Sequence, residues 1–320
     1  MNFFLLRISY HANKHFNRNV IWGMPMTCSI EPTTACNLAC PECPSGLKEF
    51  TRPTGKLDLE QNEKLLDKLK KTVVYITYYF QGEPFLHPQF LELIKAAKKR
   101  NIYTATSTNA HFITKNKAEE IVKSGLDRLI ISIDGASQKT YENYRIHGEL
   151  NKVLEASKLL VEAKKELKSR TPHLIFQFLV VKQNEADIPR IYELAKEIGI
   201  DEVRLKTAQV YNYKHGNPLI PVNEKYSRYK KKADGTYILK NKMTNDCWRM
   251  WSSCVFTWDL KVVPCCFDKD AKHVLGDATQ QPFEELWKNK PYRSFRRAVL
   301  TNRSQIDICK NCSVGSKVWI

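Results

Sequence analysis

Ten cysteines are spread unevenly over 320 residues: Cys28, Cys36, Cys40 and Cys43, then none until Cys247, Cys254, Cys265, Cys266, Cys309 and Cys312. Clustered thiols in a chain with no secretion signal point to metal before disulfides. Cys36-Asn37-Leu38-Ala39-Cys40-Pro41-Glu42-Cys43 offers three thiolates at C-x3-C-x2-C spacing, with no obvious fourth soft ligand nearby. A closed zinc site asks for four protein ligands, whereas an iron-sulfur cluster one cysteine short keeps an iron open for another molecule. Zinc and unliganded thiols are the alternatives at this loop. The carboxyl-terminal cysteines supply a second metal site, so the economical reading places one site at each end of the chain.

Between the two groups, short β-branched or aromatic runs alternate with longer segments of helical period, the pattern of repeated strand-helix units. The expected strands are 26–32, 73–80, 102–108, 128–133, 174–181 and 202–207. Helical core positions follow at Phe90, Leu93, Ile94 and Ala97, at Val153, Ala156, Leu160, Ala163 and Leu167, and at Ile191, Leu194, Ala195 and Ile198. Asp58 with Gln61 suits an N-cap, and Gly125 and Gly199 suit helix ends. Six units with right-handed crossovers predict an α/β fold, a partial (β/α)6 barrel whose functional face is the carboxyl ends of the strands. The expected division is a basic extension over 1–25, the barrel over 26–208, a polar linker over 209–246 and a small domain over 247–320. That last domain combines a β-hairpin (253–258 with 261–264) and a helix (about 283–300).

Further motifs sit where predicted strands end: Gln81-Gly82-Glu83-Pro84 after the second, Ser107-Thr108-Asn109 at the third, Ser132-Ile133-Asp134-Gly135 at the fourth, then Tyr144-Arg145 with Gly148. Taken singly, Gly-Glu-Pro is a turn, Asp134-Gly135 a loop breaker and Arg145 a helix-end cation. In a parallel barrel they would share one face with the three-cysteine loop. Together these residues resemble the radical S-adenosylmethionine (SAM) enzymes, which carry C-x3-C-x2-C on the loop after the first strand of a partial (β/α)6 barrel. The resemblance implies a 4Fe-4S cluster on Cys36, Cys40 and Cys43 whose open iron binds SAM. It also implies SAM contacts from Gln81, Gly82, Glu83, Pro84, Ser107, Asn109, Ser132, Asp134 and Arg145, with Arg145 paired to the SAM carboxylate. Two positions depart from the family pattern. Gln81 replaces a glycine, tolerable if its backbone needs no positive φ, and Glu42 stands where an aromatic residue is frequent.

The carboxyl-terminal cysteines resemble the auxiliary-cluster domain of the same superfamily, called SPASM or, when shortened, twitch. Cys247 is followed 18 positions later by Cys265, and Cys309-Lys310-Asn311-Cys312 closes the set. Val263-Pro264-Cys265-Cys266 and Glu285-Leu286-Trp287 fit the same pattern. This implies one auxiliary 4Fe-4S cluster on Cys247, Cys265, Cys309 and Cys312, with Cys254 and Cys266 as competitors and a zinc ribbon as the alternative. Cys28 reads as an ordinary buried thiol.

By resemblance, the enzyme reductively cleaves SAM to a 5′-deoxyadenosyl radical that abstracts hydrogen from a substrate C–H bond. The auxiliary cluster would make the net reaction an oxidation or oxidative cross-link of a small molecule or peptide. A flavodoxin- or ferredoxin-like electron donor is implied. No general acid or base is assigned, since Asp134, Glu83 and Lys206 all end strands.

Fifty-one Lys and Arg against 34 Asp and Glu give a net charge of +17, which favours neutral or anionic partners. An RNA-modifying radical enzyme is therefore an alternative, supported by eight Lys and Arg from Leu286 onward against Asp307 alone. No RNA-binding module accompanies them, and scattered bases ordinarily form a solvated face, so nucleic acid is disfavoured. A non-enzymatic metal-binding interaction protein would require the strand-end motifs to be coincidental. Phe3-Phe4-Leu5-Leu6 is too short for a secretion signal and no segment is long enough to span a membrane, so a cytoplasmic location is expected. Arg7, Lys14 and Arg18 precede the first acid, Glu31, which allows a peripheral contact with an anionic surface.

Overall fold

The structure is a computed structural model that describes residues 1–16 and 18–312. Asn17 and the last eight residues of the expected 247–320 domain lie outside the described residues. The chain divides into two compact units. The first comprises Met1–Ala35, Phe50–Ala105 and the described residues from Met243 onward; the second comprises Cys36–Glu49 and Thr106–Lys242.

In the first unit, β1 (Thr27–Ile30), β2 (Tyr75–Thr77) and the start of β3 (Tyr103–Thr108) form parallel ladders in the register Thr27↔Tyr75 and Tyr75↔Tyr103. The intervening helices, Leu59–Leu69 and Phe90–Lys98, turn Leu65, Leu66, Leu93, Ile94 and Ala97 into the core. Asp58 caps the first of these by accepting the Gln61 N–H at 2.9 Å. In the second unit, the end of β3 is followed by β4 (Arg128–Ser132), β5 (His173–Val180) and β6 (Glu202–Thr207), in that spatial order. β4, β5 and β6 pair in parallel. Leu174, Ile175 and Phe176 are consecutive and fully buried, as expected for a parallel strand covered on both faces. The helices Leu150–Glu166 and Ile188–Ile198 cover these strands, and Gly199 ends the second at φ +92°. Leu167, expected in the core, falls one residue past its helix and is exposed. The fold is α/β with parallel strands, as the strand-helix rhythm predicts.

Two segments are richer than their sequences indicate. Within 209–246, β7 (Tyr229–Lys231) and β8 (Tyr237–Leu239) form an antiparallel hairpin. Tyr229 is buried and stacks on Tyr213, ring centroids 4.5 Å apart, so aromatic residues placed among the lysines serve the core. In the carboxyl-terminal segment, β9 (Ser253–Phe256) and β10 (Lys261–Val263) form the expected hairpin, and β11 (Gly276–Asp277) joins β10. β9 also pairs in parallel with β1, Cys28 opposite Cys254, so this hairpin extends the sheet of its unit. The single helix expected over 283–300 is two, Phe283–Lys288 and Lys290–Asn302. Asn289 caps the second through the Tyr292 N–H at 2.9 Å and Pro291 occupies its first turn, a start signal that breaks the run.

The amino-terminal helix, Asn2–Phe16, packs within the first unit. Tyr10 sits edge-on to Trp248 and Trp251 and donates its hydroxyl to Asp246, which also pairs with Lys14 at 2.7 Å. Among the described residues, no helix is long and apolar enough to cross a membrane.

Candidate functional site

In the second unit, the three-cysteine loop is shaped by its own backbone. The Cys43 N–H donates to the Cys40 carbonyl at 3.2 Å, and a short helix, Pro44–Leu47, starts immediately after Cys43. Leu38 and Cys40 are buried beside Tyr144, Val181, Val210 and Tyr229, while Cys36 and Cys43 are half-buried at the edge of that cluster. One thiol anchors the loop and two remain reachable. Burial pushes the Cys40 thiol up, opposed by the Arg145 guanidinium.

Asp134, at the end of β4, is fully buried and accepts two charge-fixing bonds, from Arg145 Nε at 2.5 Å and from the Leu179 N–H at 2.6 Å. Arg145 extends Nη1 to Cys40 Sγ at 3.8 Å. Burial disfavours the guanidinium charge, but Asp134, Cys40, Tyr141 and Tyr144 together outweigh it and hold Arg145 well above its ordinary value. Asn184, absent from the sequence reading, donates to the Asp134 carbonyl at 2.9 Å and fixes the strand end. Asn109 donates Nδ2 to Asn37 Oδ1 at 2.7 Å, joining the end of β3 to the residue after Cys36. Ser107 and Ser132 are buried at the ends of β3 and β4. Glu42 accepts the Tyr211 N–H at 2.9 Å. Thus one unit gathers Cys36, Cys40, Cys43, Ser107, Asn109, Ser132, Asp134 and Arg145. Arg145, expected as a partner of the SAM carboxylate, is here engaged with Asp134.

Gln81, Gly82, Glu83 and Pro84 belong to the first unit, after β2. The Glu83 N–H donates to the Ala35 carbonyl at 2.7 Å, and the Glu83 carboxylate accepts the Phe85 N–H at 3.2 Å. Gly82 has φ +74°, and a Cβ there would lie 2.2 Å from the Thr33 carbonyl oxygen. Gln81 is not among the left-handed residues and bonds the Phe80 carbonyl at 2.8 Å, so the departure from glycine falls where glycine is not needed. Sequence reading missed the adjoining Glu31 and Arg52. They form a buried bidentate pair at 2.6 and 2.8 Å, with the Trp258 N–H on the same carboxylate at 3.1 Å. Acid and base 21 positions apart leave no local sequence signal.

The carboxyl-terminal thiols sort by environment. Cys265 lies within electrostatic reach of Cys266 first and then of Cys247 and Cys312, and Cys309 within reach of Cys312 and Cys247. Burial pushes the Cys309 thiol up to about 11, opposed by Arg303. Cys254 instead faces Cys28 across the β1·β9 ladder, both fully buried among apolar residues. Cys266 packs beside Phe80, Val255 and Val263 and receives Arg249 Nη1 at 3.6 Å. Arg296 and Arg303, counted in the sequence among surface bases, are each 2% exposed. Arg296 donates to the Met250 and Trp287 carbonyls at 2.9 and 2.8 Å.

Among the described residues, no three His, Cys, Asp or Glu side chains are arranged around a single metal ion. A four-iron cluster makes a different demand, each thiolate binding its own iron. Soft thiols in two sets, each with a guanidinium donor on a cysteine sulfur, fit that demand.

Comparison with known proteins agrees. Residues 30–195, just over half of the chain, match the family model of the Radical SAM superfamily, and residues 247–313 match that of SPASM, an iron-sulfur cluster-binding domain. The chain is 25% identical over 317 residues to the tungsten-containing aldehyde ferredoxin oxidoreductase cofactor-modifying protein of Pyrococcus furiosus, covering 89% of this chain and 86% of that protein. It is 29% identical over 199 residues to the PqqA peptide cyclase of Gluconobacter oxydans, covering 62% of this chain and 54% of the cyclase. In fold it is similar to Streptococcus suis SuiB bound to S-adenosylmethionine, with TM-score 0.68 and 16% identity over 98% of this chain and 77% of that one. A three-cysteine loop, strand-end motifs and both family matches converge: the chain belongs to the radical SAM superfamily, as an enzyme with a SPASM domain that uses SAM and iron-sulfur clusters.

Proposed function

We propose that Cys36, Cys40 and Cys43 hold the SAM-binding cluster, that Cys247, Cys265, Cys309 and Cys312 hold one auxiliary cluster, and that the enzyme oxidises a C–H bond of an anionic small molecule. The observation that carries the first assignment is Arg145, which donates both to the buried Asp134 carboxylate and to Cys40 Sγ, 2.5 and 3.8 Å away. That bridge ties the cysteine loop to the end of β4, where the family places SAM-contacting residues. When bound, the cofactors supply the electron and the carbon radical that makes the C–H bond reactive; orientation and protection are left to the protein. Asp134 holds Arg145, Asn109 holds Asn37, and both restrain the loop whose Cys36, Cys40 and Cys43 would hold the cluster. Gly82 and Glu83 clamp the backbone of Thr33 and Ala35 ahead of Cys36. Cys247, Cys265, Cys309 and Cys312 would hold the auxiliary cluster, which when bound would supply a place for the electron leaving the substrate.

An anionic small molecule is favoured by the net charge of +17 and by the likeness to the cofactor-modifying protein, which runs through 89% of this chain against 62% for the peptide cyclase. A flavodoxin- or ferredoxin-like protein in the cytoplasm supplies the reducing electron. On the amino-terminal helix, Phe4, Ile8 and Phe16 are exposed alongside Arg7 and Lys14, with Arg18 beyond its end, a pattern suited to an anionic surface.

Deuterium transfer tests the substrate class. An extract from cells grown in heavy water is divided into anionic small molecules, neutral small molecules and peptides, and each fraction is incubated with the reduced enzyme and SAM. Deuterium in 5′-deoxyadenosine from the anionic fraction is expected. Deuterium from the peptide fraction alone would overturn the assignment.

A further inference from the structure

We infer that Arg303 is a positioning residue for the auxiliary cluster, and that its guanidinium raises the potential at which that cluster takes up an electron. The inference rests on the reading of Cys247, Cys265, Cys309 and Cys312 as ligands.

Arg303 begins a short turn, Arg303–Gln305, directly after the helix Lys290–Asn302, and its side chain is withdrawn from water. Its backbone N–H donates to Asn245 Oδ1 at 3.0 Å. Nη1 donates to the carbonyls of Thr244 at 3.3 Å and Asp246 at 2.5 Å, the segment that leads into Cys247. Nη2 reaches Cys312 Sγ at 3.2 Å, and Cys309 lies within electrostatic reach of the same guanidinium. One guanidinium therefore joins the two stretches of chain that carry three of the four cysteines.

The rigid fork of arginine serves this geometry, since one edge fixes backbone carbonyls while the other faces sulfur. A thiolate carries more negative charge when its iron is reduced, so a hydrogen bond and a positive charge at the sulfur favour the reduced state. Burial removes the water that would screen the effect. Such a bias would favour uptake of an electron by a cluster held there. Lysine at this position would keep the charge and lose the fork, whereas glutamine would keep polarity and lose the charge.

The test is an EPR-monitored redox titration of the reconstituted full-length chain, with Cys36→Ala, Cys40→Ala and Cys43→Ala so that the auxiliary cluster alone reports. Arg303 is compared with Arg303→Lys and Arg303→Gln, each with its iron counted. At about four irons per chain, the midpoint potential is expected to fall from Arg to Lys to Gln. Loss of iron in Arg303→Gln with retention and a lowered potential in Arg303→Lys would support the same role. An unshifted midpoint in iron-loaded Arg303→Gln would overturn it, as would loss of iron from both variants, which would make Arg303 a scaffold residue. Absence of an auxiliary cluster from the chain with Arg303 intact would instead overturn the ligand assignment.

Discussion

Replacing Gly82 with alanine isolates the clamp that precedes the cysteine loop. At φ +74° an alanine carries a left-handed penalty of about 1–2 kcal/mol. Its Cβ would stand 2.2 Å from the Thr33 carbonyl oxygen and 2.9 Å from that of Ala35, both backbone atoms that cannot rotate aside. Forcing that backbone to shift adds about 1–3 kcal/mol, as overpacking does elsewhere, for a total of about 2–5 kcal/mol. Gly235 is the matched control: its φ is +82°, and nothing lies within 4 Å of the added Cβ, so only the left-handed penalty applies. Urea unfolding of the cluster-free chain reads both. Gly82→Ala should lower the midpoint by on the order of 1 M, and Gly235→Ala by about half that or less. Because Ala35 is followed by Cys36, Gly82→Ala should also lose iron at the amino-terminal cluster while Gly235→Ala keeps it. Equal midpoints and equal iron contents for the two variants would refute the clamp.

Asp134→Ala leaves the Arg145 guanidinium without its buried carboxylate and should cost about 3–5 kcal/mol, with Asp134→Asn costing less; chemical unfolding measures both. Asp67, held well below the usual carboxylate range by hydrogen bonds from Arg100 and Lys70, binds a proton less readily folded than unfolded. Its contribution is present above the unfolded value of about 3.9 and is lost as pH falls through the folded value. Asp67→Asn should therefore lower the unfolding midpoint at pH 7 and shrink the loss on acidification; an unchanged acid dependence would contradict the pairing.

The chemistry was legible where it depends on spacing within one short segment. C-x3-C-x2-C, Gly82-Glu83-Pro84 and Asp134-Gly135 each follow a strand whose apolar run marks it, so both the motif and its position could be read. What escaped the sequence depends on distant partners. The pairing of β9 with β1 joins Cys28 to Cys254, and no local pattern marks which strand edge a hairpin will extend. Arg296 and Arg303 look like surface bases because side-chain type does not reveal a cage of carbonyls: their acceptors Met250 and Thr244 lie 46 and 59 positions away. Tyr213 and Tyr229 sit in a polar, lysine-rich stretch whose overall composition hides two core-facing rings. The break at Asn289 was readable, since an N-cap residue and Pro291 stand together there.

The central claim is that the three-cysteine loop holds the cluster that cleaves SAM. The direct measurement is anaerobic reconstitution with iron and sulfide, metal counting, then reduction with SAM and assay for 5′-deoxyadenosine, on the unsubstituted chain and on Cys36→Ala/Cys40→Ala/Cys43→Ala. About eight irons per chain and 5′-deoxyadenosine are predicted for the first, and about four irons with none of that product for the second. Zinc in place of iron, or undiminished SAM cleavage by the triple variant, would contradict the account.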